Sequence, residues 1–361
     1  MTYRAPIGIA TILFALLPAS PAEEIAKDLT LDGWVDTSFT GTTSDADGVP
    51  STTSFGNDAL LRIGWKPIDR IVATAAVRVD GEGRMSLSEA YGSVEALDGL
   101  TISGGQSYGP FGYYAAEPTG LATVTQALST ALYTVNPVGV WATYAINDKV
   151  TVTAIVADTY FDANKANRPA SVSPGLDLGF NPTSEICLDW EAAVDPNGGP
   201  VDSDGAQGNT YYASFNAQYQ RDAITAAGEI LYQVVQNNGS SPDHDQRNLG
   251  WAAFVTYAFP DAGIPLAVTA QLSGLSTGAT AATAGSFALD PATGLVVLDG
   301  NASTGEKTTA TKAQLALLTN PLGAPQFAVT CEAFYLNEDP GGDADRVNAY
   351  GVALEGLYVL P

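Results

Sequence analysis

The sequence predicts an all-β chain closed into a transmembrane antiparallel barrel of about 16 strands, preceded by a cleaved signal peptide. Three observations carry this expectation. Between residues 29 and 360, short stretches alternate apolar and polar residues, as strands with one apolar and one polar face do. The connections alternate short and long. The N-terminus carries an export signal and no later apolar run is long enough for a membrane helix. A soluble sandwich would bury the apolar faces, whereas a membrane barrel turns them to lipid and encloses the polar ones. The strand number and the lack of an internal repeat or linker favour the barrel.

Residues 1–22 read as the signal peptide: Arg4, an apolar run over 7–17, then Ser20 and Ala22 before the expected cut. Residues 23–361 then form one barrel domain. The formal net charge is −24, from 39 acidic and 15 basic residues. This excludes nucleic-acid binding through phosphates. It suggests cation-rich surroundings, divalent ions or a cation-favouring vestibule, and serves solubility equally well.

The clearest strand is 70–80, where Ile71, Ala73, Ala75, Val77 and Val79 share one face and Arg70, Thr74 and Arg78 the other. Further strands are expected near 29–41, 57–66, 87–97, 99–107, 138–147, 149–158, 185–193, 209–220, 223–235, 248–259, 265–275, 311–319, 325–336 and 346–360. Pro67-Ile68-Asp69, Asp98-Gly99 and Asn147-Asp148 read as tight periplasmic turns, and 42–56 and 108–137 as long outer loops. Counting strand directions inward from both termini leaves one inward strand missing. Residues 171–180 can supply it, with Val172, Leu176, Leu178 and Phe180 on one face, although Pro174 opposes a regular strand. The total becomes even, as single-chain bacterial barrels require.

At the end of the chain, Tyr350, Val352, Leu354, Gly356 and Tyr358 alternate, in the manner of a barrel's C-terminal assembly signal. Trp34, Trp65, Tyr91, Tyr108, Trp141, Trp190, Trp251, Tyr257 and Tyr335 lie near strand ends, where aromatic girdles form. Cys187 and Cys331 belong to opposite faces, so no disulfide is expected.

Residues 89–158 contain EAYGSVEALDGLTISGGQSYGPFGYY and NPVGVWATYAINDKVTVTAIVAD. A strand leads to Gly105-Gln106-Ser107-Tyr108-Gly109-Pro110-Phe111-Gly112, a long loop follows, and Pro137-Val138-Gly139 opens a strand pair reaching Tyr144. This arrangement resembles the OmpL-like putative beta-barrel porin family (porin-2 type). The resemblance implies a channel in the outer membrane of a Gram-negative bacterium, surrounded by outer-membrane lipids. It transfers no charged site and specifies no solute.

Gly105–Gly109 also matches G-x-S-x-G, the turn that presents a hydrolase serine. Pro110-Phe111-Gly112 is a poor helix start, and the single histidine, His244, sits in an acidic loop, so no enzyme is expected. In 108–137, Tyr113, Tyr114 and Glu117 are constriction candidates. Leu121, Val124, Leu128 and Leu132 have helical spacing, consistent with a short helix folded into the lumen. An outer loop covering a neighbouring copy in a homotrimer is the competing reading. In the hairpin 57–80, a turn at 67–69 would pair Lys66 with Arg70, Arg62 with Thr74 and Asp58 with Arg78. Asp58, Arg62 and Arg78 are thus candidates to line the pore, either in a basic strip or as structural cross-strand pairs.

Acidic, glycine-bent loops offer hard oxygen ligands: Asp195, Asn197, Asp202 and Asp204, and again Asp339, Asp343 and Asp345, with a shorter version at Asp45 and Asp47. Calcium is a candidate there, but solvated acidic turns explain the same residues and no cofactor is required. The expected activity is passive diffusion of small hydrophilic solutes or ions through a lumen narrowed by 108–137. The alternative is a non-conducting structural or calcium-dependent surface-binding barrel.

Overall fold

The computed structural model describes residues 23–26, 28–45, 51–108, 111–112, 123–133, 136–160, 172–196, 208–236, 245–278, 286–289, 296–299, 308–320, 326–339 and 346–360. The expected signal peptide, residues 1–22, lies outside them.

A short strand β1 (Glu23–Ala26) turns back onto the first residues of β2 (Leu29–Ser44). The wall continues through β3 (Thr52–Ile68), β4 (Ile71–Val79), β5 (Met85–Leu97), β6 (Leu100–Gln106), β7 (Val138–Ala145) and β8 (Val150–Ala157). It then passes through β9 (Ser173–Thr183), β10 (Ile186–Asp195), β11 (Thr210–Arg221), β12 (Ile224–Val235), β13 (Gln246–Ala258) and β14 (Leu266–Thr277). A hairpin, β15 (Ser286–Leu289) and β16 (Val296–Asp299), forms a separate two-stranded sheet. The wall finishes with β17 (Thr308–Thr319), β18 (Phe327–Asp339) and β19 (Val347–Leu360).

Each wall strand pairs antiparallel with the next, and β19 pairs back onto β2 from Ala349↔Ser44 to Leu360↔Gly33. The result is a closed barrel of 16 strands, β2–β14 and β17–β19. Closure leaves no unpaired edge, the condition for placing backbone in hydrocarbon. The connections β3–β4, β5–β6, β9–β10 and β11–β12 have two residues each and lie at one end, the periplasmic one by the rule of short turns.

The missing inward strand is β9. It begins at Ser173, with Pro174 beside Val156 of β8, whereas its pairing with β10 begins only at Gly175↔Ala193. The proline therefore sits where a lost donor costs no second ladder. The strand runs three residues past its expected end, through Asn181 and Pro182 to Thr183, so its turn is Ser184-Glu185. The β3–β4 turn moves likewise. Pro67 and Ile68 belong to β3, and the turn is Asp69-Arg70.

The two faces separate as their alternation requires. Leu61, Ile63, Trp65, Leu176, Leu178, Phe180, Val352 and Leu354 are exposed on the outside. Trp65, Tyr144, Phe180, Tyr219, Tyr257 and Tyr358 lie toward the short-turn end; Phe55, Tyr211, Tyr232, Tyr335 and Tyr350 lie toward the other. These positions suit two interfacial girdles. Trp34, Tyr91 and Trp141 point inward instead: Trp34 is 2% exposed, and the Tyr91 and Trp141 rings pack 5.6 Å apart. Both cysteines are free, Cys187 on the inner face and Cys331 exposed on the outer.

Candidate functional site

The inner face is built from the polar half of each strand. Where the expected register placed Thr74 opposite Arg62, the structure has Gly64↔Thr74, Arg62↔Ala76 and Leu60↔Arg78. The shorter turn alone would slide β4 by three residues, but the bulge between Trp65 and Ile68 takes one back, so the net slide of two preserves facing because the pleat repeats every two. Arg62 and Arg78 therefore remain inward. Lys66 and Arg70 do not join them in a strip. They lie at the short-turn end, half-exposed, next to Asp69 (3.4 Å) and Asp98 (3.4 Å).

Arg62 is held in a row running across four strands, Asp32↔Arg62↔Ala76↔Glu89. Its Nη1 donates to Asp32 at 3.2 Å and its Nε to Glu89 at 2.7 Å. Ala76, fully buried, leaves room for the guanidinium to cross over it. A bulge at Ser88 aims Glu89 into this row, since Val77 pairs with Leu87 but Ala76 with Glu89. Arg78 crosses diagonally to Asp58, donating from Nε at 2.7 Å, and its Cζ lies 5.9 Å from the Trp34 ring. Asp58 and Arg78 thus form the expected cross-strand pair without being directly opposed.

Of the segment between β6 and β7, residues 123–133 lie inside the barrel, against the inner faces of β12, β13, β14, β17 and β18. Thr125 is the centre of the attachment. Its N–H donates to Glu332 at 3.1 Å and its hydroxyl also donates to Glu332. Lys312 Nζ donates to Thr125 Oγ1 at 2.7 Å and to the Gln126 carbonyl at 2.9 Å. Gln314 Nε2 donates to the Thr125 carbonyl at 2.6 Å. Farther along, Leu128 N–H donates to Ser273 Oγ at 3.1 Å, and Ser129 and Tyr133 both donate to Glu229 at 2.5 Å.

These wall acceptors explain why the expected helix is short. Amides that would feed helical carbonyls go to the wall, leaving one 3-10 turn, Leu128–Leu132, flanked by extended Ala127 and Tyr133. Leu128 and Leu132 are buried as their spacing requires; Val124 is half-buried outside the turn, and Leu121 lies outside the described residues. Gly250 lets the turn approach the wall, because a Cβ there would sit 3.1 Å from Ser129 Cα. Nearer β6, Phe111 stacks against Tyr160 (5.0 Å) and Tyr212 (5.6 Å), and Gly112 N–H donates to Glu191 at 2.9 Å.

Of the expected site residues, Asp58, Arg62 and Arg78 share one inner arc; Tyr113, Tyr114 and Glu117 lie outside the described residues. Asp195 is described, and Asn197, Asp202 and Asp204 are not. The Asp195 carboxylate is fully buried and accepts from Thr159 Oγ1 (2.6 Å), Tyr160 N (3.1 Å) and Ser173 Oγ (2.8 Å). It ties the residues just after β8 to β9 and β10. Among the described residues, no group of three acidic, histidine or cysteine side chains is arranged to hold a metal ion. The G-x-S-x-G glycine Gly105 serves wall geometry: at φ 136° it fits a place where a Cβ would collide with the Ala90 carbonyl. His244 lies outside the described residues.

Sequence reasoning missed Lys312, Gln314, Glu332 and Glu229. Their signal was present, as charged or amide side chains on the polar face of a strand, but it does not say what they hold.

Residues 68–263 match the family described as Putative beta-barrel porin-2, OmpL-like. The chain belongs to this family. It is accordingly a non-enzymatic porin barrel of the Gram-negative outer membrane. Solved structures share the fold at low identity. The anion-selective porin from Comamonas acidovorans superposes with a TM-score of 0.66 at 11% identity, covering 92% of this chain and 99% of that one. OprB of Pseudomonas putida gives 0.63 at 9%, covering 93% and 95%. The trimer form of Vibrio cholerae OmpT gives 0.58 at 13%, covering 92% and 99%. No curated protein sequence matches the chain.

Proposed function

We propose that the barrel is a passive diffusion channel for small hydrophilic solutes or ions, narrowed by the segment between β6 and β7. One observation carries this reading: residues 123–133 cover one side of the inner wall, and polar side chains on the other side are in contact with solvent. Under the segment, Glu229, Gln271, Lys312, Gln314 and Glu332 are at most 6% exposed. On the arc from β2 to β4, the side chains of Asp32, Arg62 and Arg78 keep 34%, 24% and 39% of their exposure. Asp58, Arg62 and Arg78 line the passage on that arc, and rim charges beyond them meet the solute first. No bond is made or broken; passage is governed by width and by the field of fixed charges.

Proteoliposome swelling in sugars of increasing size tests the reading. Swelling that falls off with solute size is expected, and no swelling from correctly folded, heat-modifiable protein contradicts it.

A homotrimer is the proposed assembly, by likeness in fold to the Vibrio cholerae protein whose structure is a trimer form. Light scattering of the detergent-solubilised protein, corrected for bound detergent, distinguishes one copy from three.

A further inference from the structure

The lumen charges are not balanced around the wall. Among the described residues, each cation well inside the barrel is met by a carboxylate. Arg62 bonds to Asp32 and Glu89, and Arg78 to Asp58. Lys312 reaches Glu332 through the shared Thr125 hydroxyl.

The arc formed by β9 and β10 differs. Asp177 stands directly opposite Glu191, and Asp189, one step along, lies over Gly179. Like charges directly opposed across two strands repel. Glu191 is satisfied by neutral donors, Ser214, Asn216 (3.1 Å) and Gly112 N–H (2.9 Å). Asp189 accepts from the Cys187 thiol at 3.3 Å, and Asp177 Oδ1 is buried without a protein donor. Among the described residues no lysine or arginine forms an ion pair with any of the three. Asp177 and Asp189 retain partial exposure on the inner face.

From this geometry we infer that the channel is cation-selective and that Asp177 and Asp189 set the preference. On the β2–β5 arc two arginines offset most of the charge of the three carboxylates they bond, and Asp36 and Glu355 beside it are buried away from the passage. The β9–β10 carboxylates act on ions in the passage and draw mobile cations. The inference rests on the diffusion reading, and its test separates the two.

The experiment records the reversal potential of the full-length mature protein in a planar bilayer under a KCl gradient at low ionic strength, for wild type and for Asp177→Asn/Asp189→Asn. Wild type is expected to favour K+ over Cl−. The double variant is expected to lose at least about three-fold of that permeability ratio, the effect of a unit charge about 6 Å away in water. An anion-selective wild type, or a double variant with an unchanged ratio, overturns the inference while leaving the channel intact. No current from a folded barrel overturns the diffusion reading beneath it.

Cys187 provides a second readout that needs no change to the carboxylates. In a Cys331→Ala background, a cationic methanethiosulfonate is expected to modify Cys187 at least about three-fold faster than an anionic one of similar size. Equal rates, or the reverse order, contradict the inference.

Discussion

Lys312 Nζ donates to Thr125 Oγ1 at 2.7 Å, joining a fully buried cation of β17 to the centre of the in-lumen segment. Thr125 passes its own hydroxyl proton toward Glu332 of β18, so one side chain is clamped between a buried cation and a buried anion. Leu128 and Leu132 add apolar contact below the clamp. The segment is thereby fixed to the wall by charge-assisted bonds in a site shielded from water, where such bonds are strong and unmatched charges costly.

Lys312→Met removes the cation and leaves Glu332 buried beside Thr125. Breaking a buried pair in this way is expected to cost about 3–5 kcal/mol, read as a lower unfolding midpoint in denaturant. Lys312→Met/Glu332→Gln removes both charges and should recover much of the loss. A single variant as stable as wild type contradicts the clamp.

Thr125→Val removes the shared hydroxyl but keeps the side-chain shape. The segment should loosen, and single-channel conductance should rise or fluctuate between levels while the barrel remains heat-modifiable. A wild-type current trace from this variant would show that the clamp does not position the narrowing.

Much of the wall was legible in the sequence because membrane strands must alternate. Alternate residues from Ile71 to Val79 and from Tyr350 to Tyr358 face outward as their period requires, and the parity of strand directions calls for β9. Turn positions were less legible. Pro67 and Ile68 read as turn residues, yet Ile68↔Ile71 closes the ladder, because Asp69-Arg70 suffices for a two-residue connection. The attachment of the lumen segment was not legible. Thr125 meets Lys312 and Glu332 across 187 and 207 residues, and nothing local in any of the three strands or segments announces the partner. Helical spacing at Leu128 and Leu132 was informative about burial but not about helix length, since the amides found acceptors on the wall.

Gly105→Ala tests the wall reading of the G-x-S-x-G stretch. At φ 136°, with the Ala90 carbonyl where the Cβ would go, the substitution combines backbone strain with a collision. A loss of about 1–3 kcal/mol or more is expected, seen as reduced yield of heat-modifiable barrel. Ser107→Ala should leave folding and conductance unchanged.

Arg62→Gln/Arg78→Gln removes the two cations of the β2–β5 arc and frees Asp32, Asp58 and Glu89 from their partners. The reversal potential in a KCl gradient should move toward the K+ equilibrium value. A move toward Cl−, or none, would remove these residues from the passage.

Asp45, at the end of β2, accepts from Asn348 N (2.7 Å) and Asn348 Nδ2 (2.6 Å) at the start of β19. The Asn348 side-chain amide first, and its backbone N–H second, hold the Asp45 carboxyl below its ordinary value of 3.8. A depressed folded value means that the tie contributes fully above the ordinary value and is lost as pH falls through the lowered one. Asp45→Asn should therefore be less stable than wild type near neutral pH, with the difference shrinking as pH falls below about 4. A difference that grows on acidification contradicts this sign.

Single-channel recording from the purified, heat-modifiable protein in a planar bilayer tests the central claim most directly. Stepwise, ohmic increments of current are expected as barrels insert, because the lumen segment covers one side of the wall and leaves a charged polar path along the other. A folded barrel that inserts and passes no current would contradict the account and make the Thr125–Lys312–Glu332 clamp part of a plug.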